Sequence, residues 1–309
     1  MTNEWQLLSK DYRKVQEQLI KPIYHQSIAS DVYPIINDLD PHTLESRYFT
    51  QKDDPQYRYN MESEYALSHI GYTQTDVPTP VITANLHYGY DELMRIQDST
   101  IPLDGRIGAL HKIYEDAWDR IALTGSTVAL DDIAVTSVAT SAGTNSTTWG
   151  ATAFNTTTSA LCVASLEYGI GQLIDGLGSI GDPLALVVPP DEYKNIRGLR
   201  NLVTNQPLID ELNDTMRGIN AKSPGVIMSK YLTATVARDH PGSYTITAGS
   251  DTACLFNINP QYYRIHTSEP QIRETTADIP IHGKHFQIVQ RYRPIYIEPK
   301  AIIYESAVT

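Results

Sequence analysis

Cysteine is nearly missing from this 309-residue chain: it has two, Cys162 and Cys254, in the apolar stretches "ALCVAS" and "TACLFN". Two such residues without metal-ligand spacing exclude a disulfide framework and a thiolate zinc site, and both read as buried free thiols. No window reaches the roughly 20 apolar residues needed to span a bilayer. The start, "MTNEWQLLSKDYRKVQEQL", lacks the apolar core of a signal peptide, so the expected place of synthesis and use is the cytosol. The N-x-S/T triplets at Asn145, Asn155 and Asn213 then carry no weight. Basic runs are also missing. With a formal net charge of −12 and no cluster of Lys and Arg, the chain is not a reader of nucleic acid.

Phenylalanine is scarce, 4 against 20 tyrosines, although 41% of the residues are hydrophobic and 19% charged, as in a folded globular protein. Tyrosine joins a large apolar ring to a polar tip, which suits surfaces that become half-buried against another molecule. The surplus points to an interaction protein. The length exceeds one ordinary domain, so two domains or one with long excursions are expected.

Along the chain, Trp5, Leu8, Tyr12, Val15 and Leu19 step by three or four until Pro22, Pro34 and Pro41 break the pattern, giving an arm and an extended connection. From Ser46 to Asp76 aliphatic residues are few, and Tyr48, Phe49, Tyr57, Tyr59, Tyr65 and Tyr72 recur. Such a segment has no core of its own and orders by lying across something else. "VITANLHY" alternates as a strand does. Leu103, Ile107, Leu110, Tyr114, Ala117 and Ile121 then mark a helix over about 102–123, with Pro102 near its start and Gly125 after its end. A Thr/Ser/Ala/Gly-rich stretch separates this from "SALCVASLEYGIGQLIDGL", a helix, and "PLALVVPP", a buried strand. "DEYKNIRGL" and "PLIDELNDTM" predict short helices, and "GVIMSKYL" and "ACLFNI" strands. The tail predicts a long hairpin around His282-Gly283-Lys284 and a last strand.

Three clusters invite chemistry. Glu115 and Asp119, with His111 four residues before Glu115, share one helix face as di-metal carboxylates do, but such sites need Glu-x-x-His pairs from other helices. Glu115, Asp116 and Asp119 are also what remains once the apolar stripe is removed, with Arg106, Lys112 and Arg120 among them, which is the pattern of a solvated face. "GLGSIG", Gly176 to Gly181, fits G-x-G-x-x-G, yet a helix precedes it and a strand follows, the reverse of what a pyrophosphate cradle requires; the glycines end a helix. His282 and His285 would point to opposite faces of a strand and are expected to flank a turn. No catalytic, cofactor-binding or metal residue is assigned.

The order of these pieces carries a resemblance. "LHYGYDELMRIQDSTIPLDGRIGALHKIYEDAWDRIALTGS", Leu86 to Ser126, "LALVVPPDEYKNI", Leu184 to Ile196, and "IVQRYRPIYIEPKAIIYES", Ile288 to Ser306, resemble the spine-helix region, central strand-to-helix junction and closing strands of major capsid proteins of tailed viruses with the Hong Kong 97-type fold, especially the encapsulin-like branch. The resemblance implies an α+β capsid fold: an N-terminal arm (1–45), an extended E-loop (46–85), a peripheral (P) domain (86–155 and 255–309) with the spine helix, and an axial (A) domain (156–254). It implies a non-enzymatic shell protein without cofactors, partnered with itself in pentamers and hexamers, with scaffold, portal and decoration proteins and encapsidated DNA as further partners. It would be found in the virion capsid after assembly in the host cytoplasm. Tyr48, Tyr57, Tyr59, Tyr65, Tyr72, Glu115, Asp116 and Asp119 would then be assembly contacts, with Ala117 and Ile121 facing the core. Two alternatives stay open on the sequence: an encapsulin-type compartment shell, and a carboxylate- or metal-dependent hydrolase using His111, Glu115 and Asp119.

Overall fold

The computed structural model describes residues 28–40, 42, 45–53, 70–79, 81–89, 117–123, 145–146, 154, 158–178, 180–232, 252–275 and 283–306. The expected arm lies outside them up to residue 27. Helix α1 (Ile28–Val32) leads through Pro34 into strand β1 (Ile35–Leu39).

"LALVV" folds as β6 (Leu184–Val188), and all five of its residues are buried. It lies in a five-stranded sheet in which β8 (Thr252–Asn257) joins it on one side and β7 (Gly225–Met228) on the other; β12 (Ile302–Ser306) and β5 (Asn145–Ser146) continue beyond β8. Alternate residues of a strand face opposite ways, and here both faces are covered. Leu184, Leu186, Val188, Ala253, Leu255 and Ile303 share one apolar cluster with the helices α2 (Ser159–Leu177), α3 (Pro190–Gly198) and α4 (Leu208–Ile219). Ala185, Val187, Cys254, Phe256 and Ile302 belong to a second cluster, with Tyr33, Trp118, Ile121, Tyr263 and Tyr292. The final strand pairs with β8, and Ile302 and Ile303 fill the two opposite cores.

The helices form for local reasons. α4 buries Leu208, Leu212 and Met216, four apart on one stripe. α3 opens with Pro190, whose missing N–H costs nothing in a first turn, and carries Asp191 and Glu192 there against Arg197 in the last turn, the arrangement the helix dipole favours. α2 stops at Gly178, which takes φ 79° and donates its N–H to the Ile174 carbonyl at 2.7 Å, so "GLGSIG" is a helix end as its order implied. Gly225, at φ 91°, opens β7 where a Cβ would run into Asn213, whose Oδ1 accepts the Val226 N–H at 2.9 Å.

The first sheet is organised by β11 (Gly283–Tyr296), 14 residues long. Along one flank it pairs antiparallel with β4 (Val81–Gly89). Along the other it pairs first with β10 (Gln271–Thr275) and then with β9 (Tyr263–Ser268), which β1 extends in parallel. The late hairpin is β10–β11, but Gly283 and Lys284, expected at its turn, lie within β11 opposite Gly89 and Tyr88, and His285 pairs with Thr275 and His87. The register between Thr267↔Tyr292 and Gln271↔Val289 spans four residues on one side and three on the other, a bulge. Ser268 and Gln290 fill it. The Ser268 hydroxyl accepts the Arg291 N–H at 2.9 Å, and Gln290 Nε2 donates to the Ser268 carbonyl at 2.8 Å and to Thr267 Oγ1 at 2.9 Å.

β2 (Glu45–Asp53) and β3 (Ile70–Pro78) pair antiparallel over nine residues as a ribbon, a two-stranded sheet by themselves. Residues 81–89 belong to the first sheet as β4.

Candidate functional site

For a chain without a chemical motif, the candidate sites are its joints and exposed surfaces. Tyr48 and Tyr72 fall on the ribbon, Tyr48 opposite Thr75 and Tyr72 opposite Gln51. Tyr57, Tyr59, Tyr65, His111, Glu115 and Asp116 lie outside the described residues. Asp119 requires a correction. It was expected on a solvated face as an assembly contact, but it is buried at 6% exposure and its Oδ1 accepts the Ala29 N–H at 2.8 Å. The reason is that segment 117–123 is buried on more than one stripe: Trp118, Ile121, Ala122 and Leu123 all sit in the cluster shared by both sheets. An acid at position 119 is tolerated there because it satisfies a backbone N–H of α1.

Sequence reasoning missed the joint around this segment. Tyr33, Tyr263 and Tyr292 are fully buried, and Tyr296 packs beside them. Their rings meet one another, Phe256 and Trp118 edge-on or tilted, with centroids 4.5 to 6.3 Å apart. The hydroxyls then serve backbone carbonyls: Tyr292 donates to Trp118 at 3.1 Å and Tyr263 to Val32 at 3.2 Å. Tyr33 and Tyr296 both reach the Ala122 carbonyl, at 3.1 and 2.9 Å, and lie 3.1 Å from each other, so two protons serve three contacts. Burial pushes all four phenols above their ordinary range, so they stay protonated and donating. Part of the tyrosine signal is thus internal, where ring and hydroxyl tie α1, segment 117–123 and β11 together.

A second unpredicted feature pins β1 to β9. The buried His266 has Nδ1 2.8 Å from both carboxylate oxygens of Asp38, and its Nε2 accepts the Arg264 Nε–H at 2.7 Å. An accepting Nε2 requires the neutral ring with its proton on Nδ1, donated to Asp38. Burial lowers the His266 pKa below 6.5, outweighing the raising effect of Asp38, while the Arg264 charge lowers it further.

Among the described residues no group of three or more His, Cys, Asp or Glu is placed to hold a metal ion, and no helix is long and apolar enough to cross a membrane. Both cysteines are free and buried; burial raises the Cys162 thiol to about 11 and Cys254 higher still, so neither is a nucleophile at neutral pH. A turn between α3 and α4 exposes two large apolar side chains, Leu202 and Val203, almost completely.

No protein-family model matches the sequence, and no curated protein matches it. Solved structures do. A virus-like particle from Pyrococcus furiosus aligns over 95% of this chain and 98% of its own, with a TM-score of 0.60 at 12% identity. The capsid of the Myoviridae phage XM1 aligns over 89% of each chain, with a TM-score of 0.62 at 12% identity. The capsid of an empty GTA particle aligns over 91% and 96%, with a TM-score of 0.56 at 11% identity. The chain has the Hong Kong 97-like capsid fold.

Two measurements probe the site. Asp119→Ala strands the Ala29 N–H in the core and is expected to cost about 1–3 kcal/mol in urea denaturation, whereas an exposed assembly contact would leave subunit stability unchanged. His266, whose folded pKa lies below 6.5, contributes stability in full above pH 6.5 and loses it as pH falls below that value, because the unfolded chain takes the proton more readily. The urea midpoint should fall more steeply on acidification in the native protein than in His266→Gln; equal slopes would deny His266 this role.

Proposed function

We propose that this chain is the major subunit of a capsid, a structural and non-enzymatic protein that assembles through pentamers and hexamers into an icosahedral shell around double-stranded DNA. The observation that carries the proposal is the likeness of fold over nearly the full length of both partners, 95% and 98% for the virus-like particle. In this reading the β2–β3 ribbon is the E-loop, the sheet of β1, β4, β9, β10 and β11 with segment 117–123 belongs to the peripheral domain, and the sheet of β6, β7 and β8 with α2, α3 and α4 to the axial domain. An isolated two-stranded ribbon is marginally stable in water. The ribbon therefore acquires its support from a neighbouring subunit, and assembly contributes to the stability of each copy. Tyr48, Tyr57, Tyr59, Tyr65 and Tyr72 remain its proposed contacts, with Glu115 and Asp116 on the spine helix.

The acid excess of the chain suits a wall around packed DNA, because a basic lining would bind phosphate and resist packing and release. Scaffold, portal and decoration proteins would be met during assembly in the host cytoplasm.

Negative-stain electron microscopy of the purified protein, with light scattering, tests the proposal: closed shells or rings of five and six are expected. A protein that stays monomeric or dimeric at high concentration and under crowding, with its fold intact, would contradict it. Nuclease-protected DNA in shells from the native source separates a virion from a compartment filled with protein.

A further inference from the structure

The turn joining α3 to α4 is built to hold its shape. Asn201 is its hub: Oδ1 accepts the N–H groups of Val203 and Thr204 at 2.8 and 3.2 Å, and Nδ2 donates to Glu211 Oε1 on α4 at 2.9 Å. The backbone closes with Asn201 N–H on the Gln206 carbonyl and Asn205 N–H on the Asn201 carbonyl, both at 2.9 Å, and Asn205 takes φ 58°. On this locked frame Leu202 and Val203 are 94% and 93% exposed. Single exposed apolar residues are ordinary on protein surfaces. Two adjacent ones on a turn whose polar groups are engaged locally form a preorganised apolar knob, which loses little entropy on docking.

The same half of the molecule carries a surface that fits it. α2 buries Cys162, Leu166, Ile170 and Leu173 on its inner side. On its outer side Leu161, Ala164, Tyr168 and Gly171 follow at spacings of three, four and three, one helix face. Leu161 is 55% and Tyr168 49% exposed, and a Cβ on Gly171 would meet nothing. The face is a shallow apolar trough, low at Ala164 between Leu161 and Tyr168, with Gly171 one turn beyond Tyr168. A helix apolar on two sides is the pattern of an element covered on both. Charge agrees: the turn carries one ionised side chain, Arg200, and α2 carries Glu167 and Asp175 and no basic residue.

We propose that the Leu202–Val203 knob of one copy docks into the Leu161–Ala164–Tyr168 trough of a second copy, with Arg200 approaching Glu167 or Asp175. This rests on the shell reading and specifies one contact within it. Knob and trough are different patches of one chain, so the contact is heterologous: each copy uses both, and the contact closes into a ring where the rotation permits.

Cysteine cross-linking tests the contact in the full chain. Cys162 and Cys254 are buried, so Leu202→Cys and Ala164→Cys introduce the accessible thiols. With a short bismaleimide, the double variant should give a ladder of dimers, trimers and higher species on denaturing gels, and each single variant none. Val203→Asp added to the double variant should weaken the ladder roughly tenfold. A dimer band from Leu202→Cys alone would mean knob meets knob and overturn the proposal, as would no ladder from the double variant. Micrographs of the wild-type protein keep the two ideas apart. Shells without a ladder would remove this contact and leave the shell reading standing, and a ladder without shells would do the reverse.

Discussion

The rest of the structure depends on two strands, β6 and β8, that have no wet face. Every side chain of β6 is buried, and its neighbours β8 and β12 send alternate residues into one core or the other. A strand in that position has to be apolar at both parities, which "LALVV", "ACLF" and "AII" all are. It also has to be covered twice. α2, α3 and α4 cover one side; α1, segment 117–123 and the end of the first sheet cover the other. The sheet thereby makes one folded body out of segments that begin more than two hundred residues apart, such as α1 and β12.

Covering the second side brings helical and irregular backbone into the interior, and its carbonyls need partners. Tyrosine answers that need where phenylalanine would not: the ring supplies apolar contact and the hydroxyl donates to a carbonyl that water cannot reach. Tyr33, Tyr263, Tyr292 and Tyr296 each do this, and the Asp119 carboxylate accepts the Ala29 N–H. The composition of the chain, rich in tyrosine and poor in phenylalanine, reflects this interior as well as any surface for neighbours.

What was legible in the sequence was what depends on short-range pattern. The continuous apolar run of β6, the four-residue stripe of α4 and the glycine stop of α2 each follow from local chemistry. So does the rejection of "GLGSIG" as a phosphate cradle. Asp119 was not legible, because the Ala29 N–H it binds is ninety residues away and the face opposite the stripe turned out to be covered as well. Nor was the placement of β12, since "AIIYES" reads the same whichever sheet receives it. The bulge at Ser268 and Gln290 arises from a one-residue mismatch between paired strands, which neither strand shows alone. His266 shares that origin: a pair such as Asp38 and His266 exists only after β1 and β9 align.

The folded body and the ribbon stand in contrast. One is buried from both sides within a single chain; the other is two strands whose further support, in the proposed shell, comes from a neighbour. Hydrogen exchange on free subunits and on assembled particles tests that division most directly. The account predicts that β6 and β8 amides are the slowest in both states, and that β2 and β3 amides exchange rapidly in the subunit and slow markedly on assembly. Ribbon amides already as protected in the lone subunit as those of β6 would contradict it.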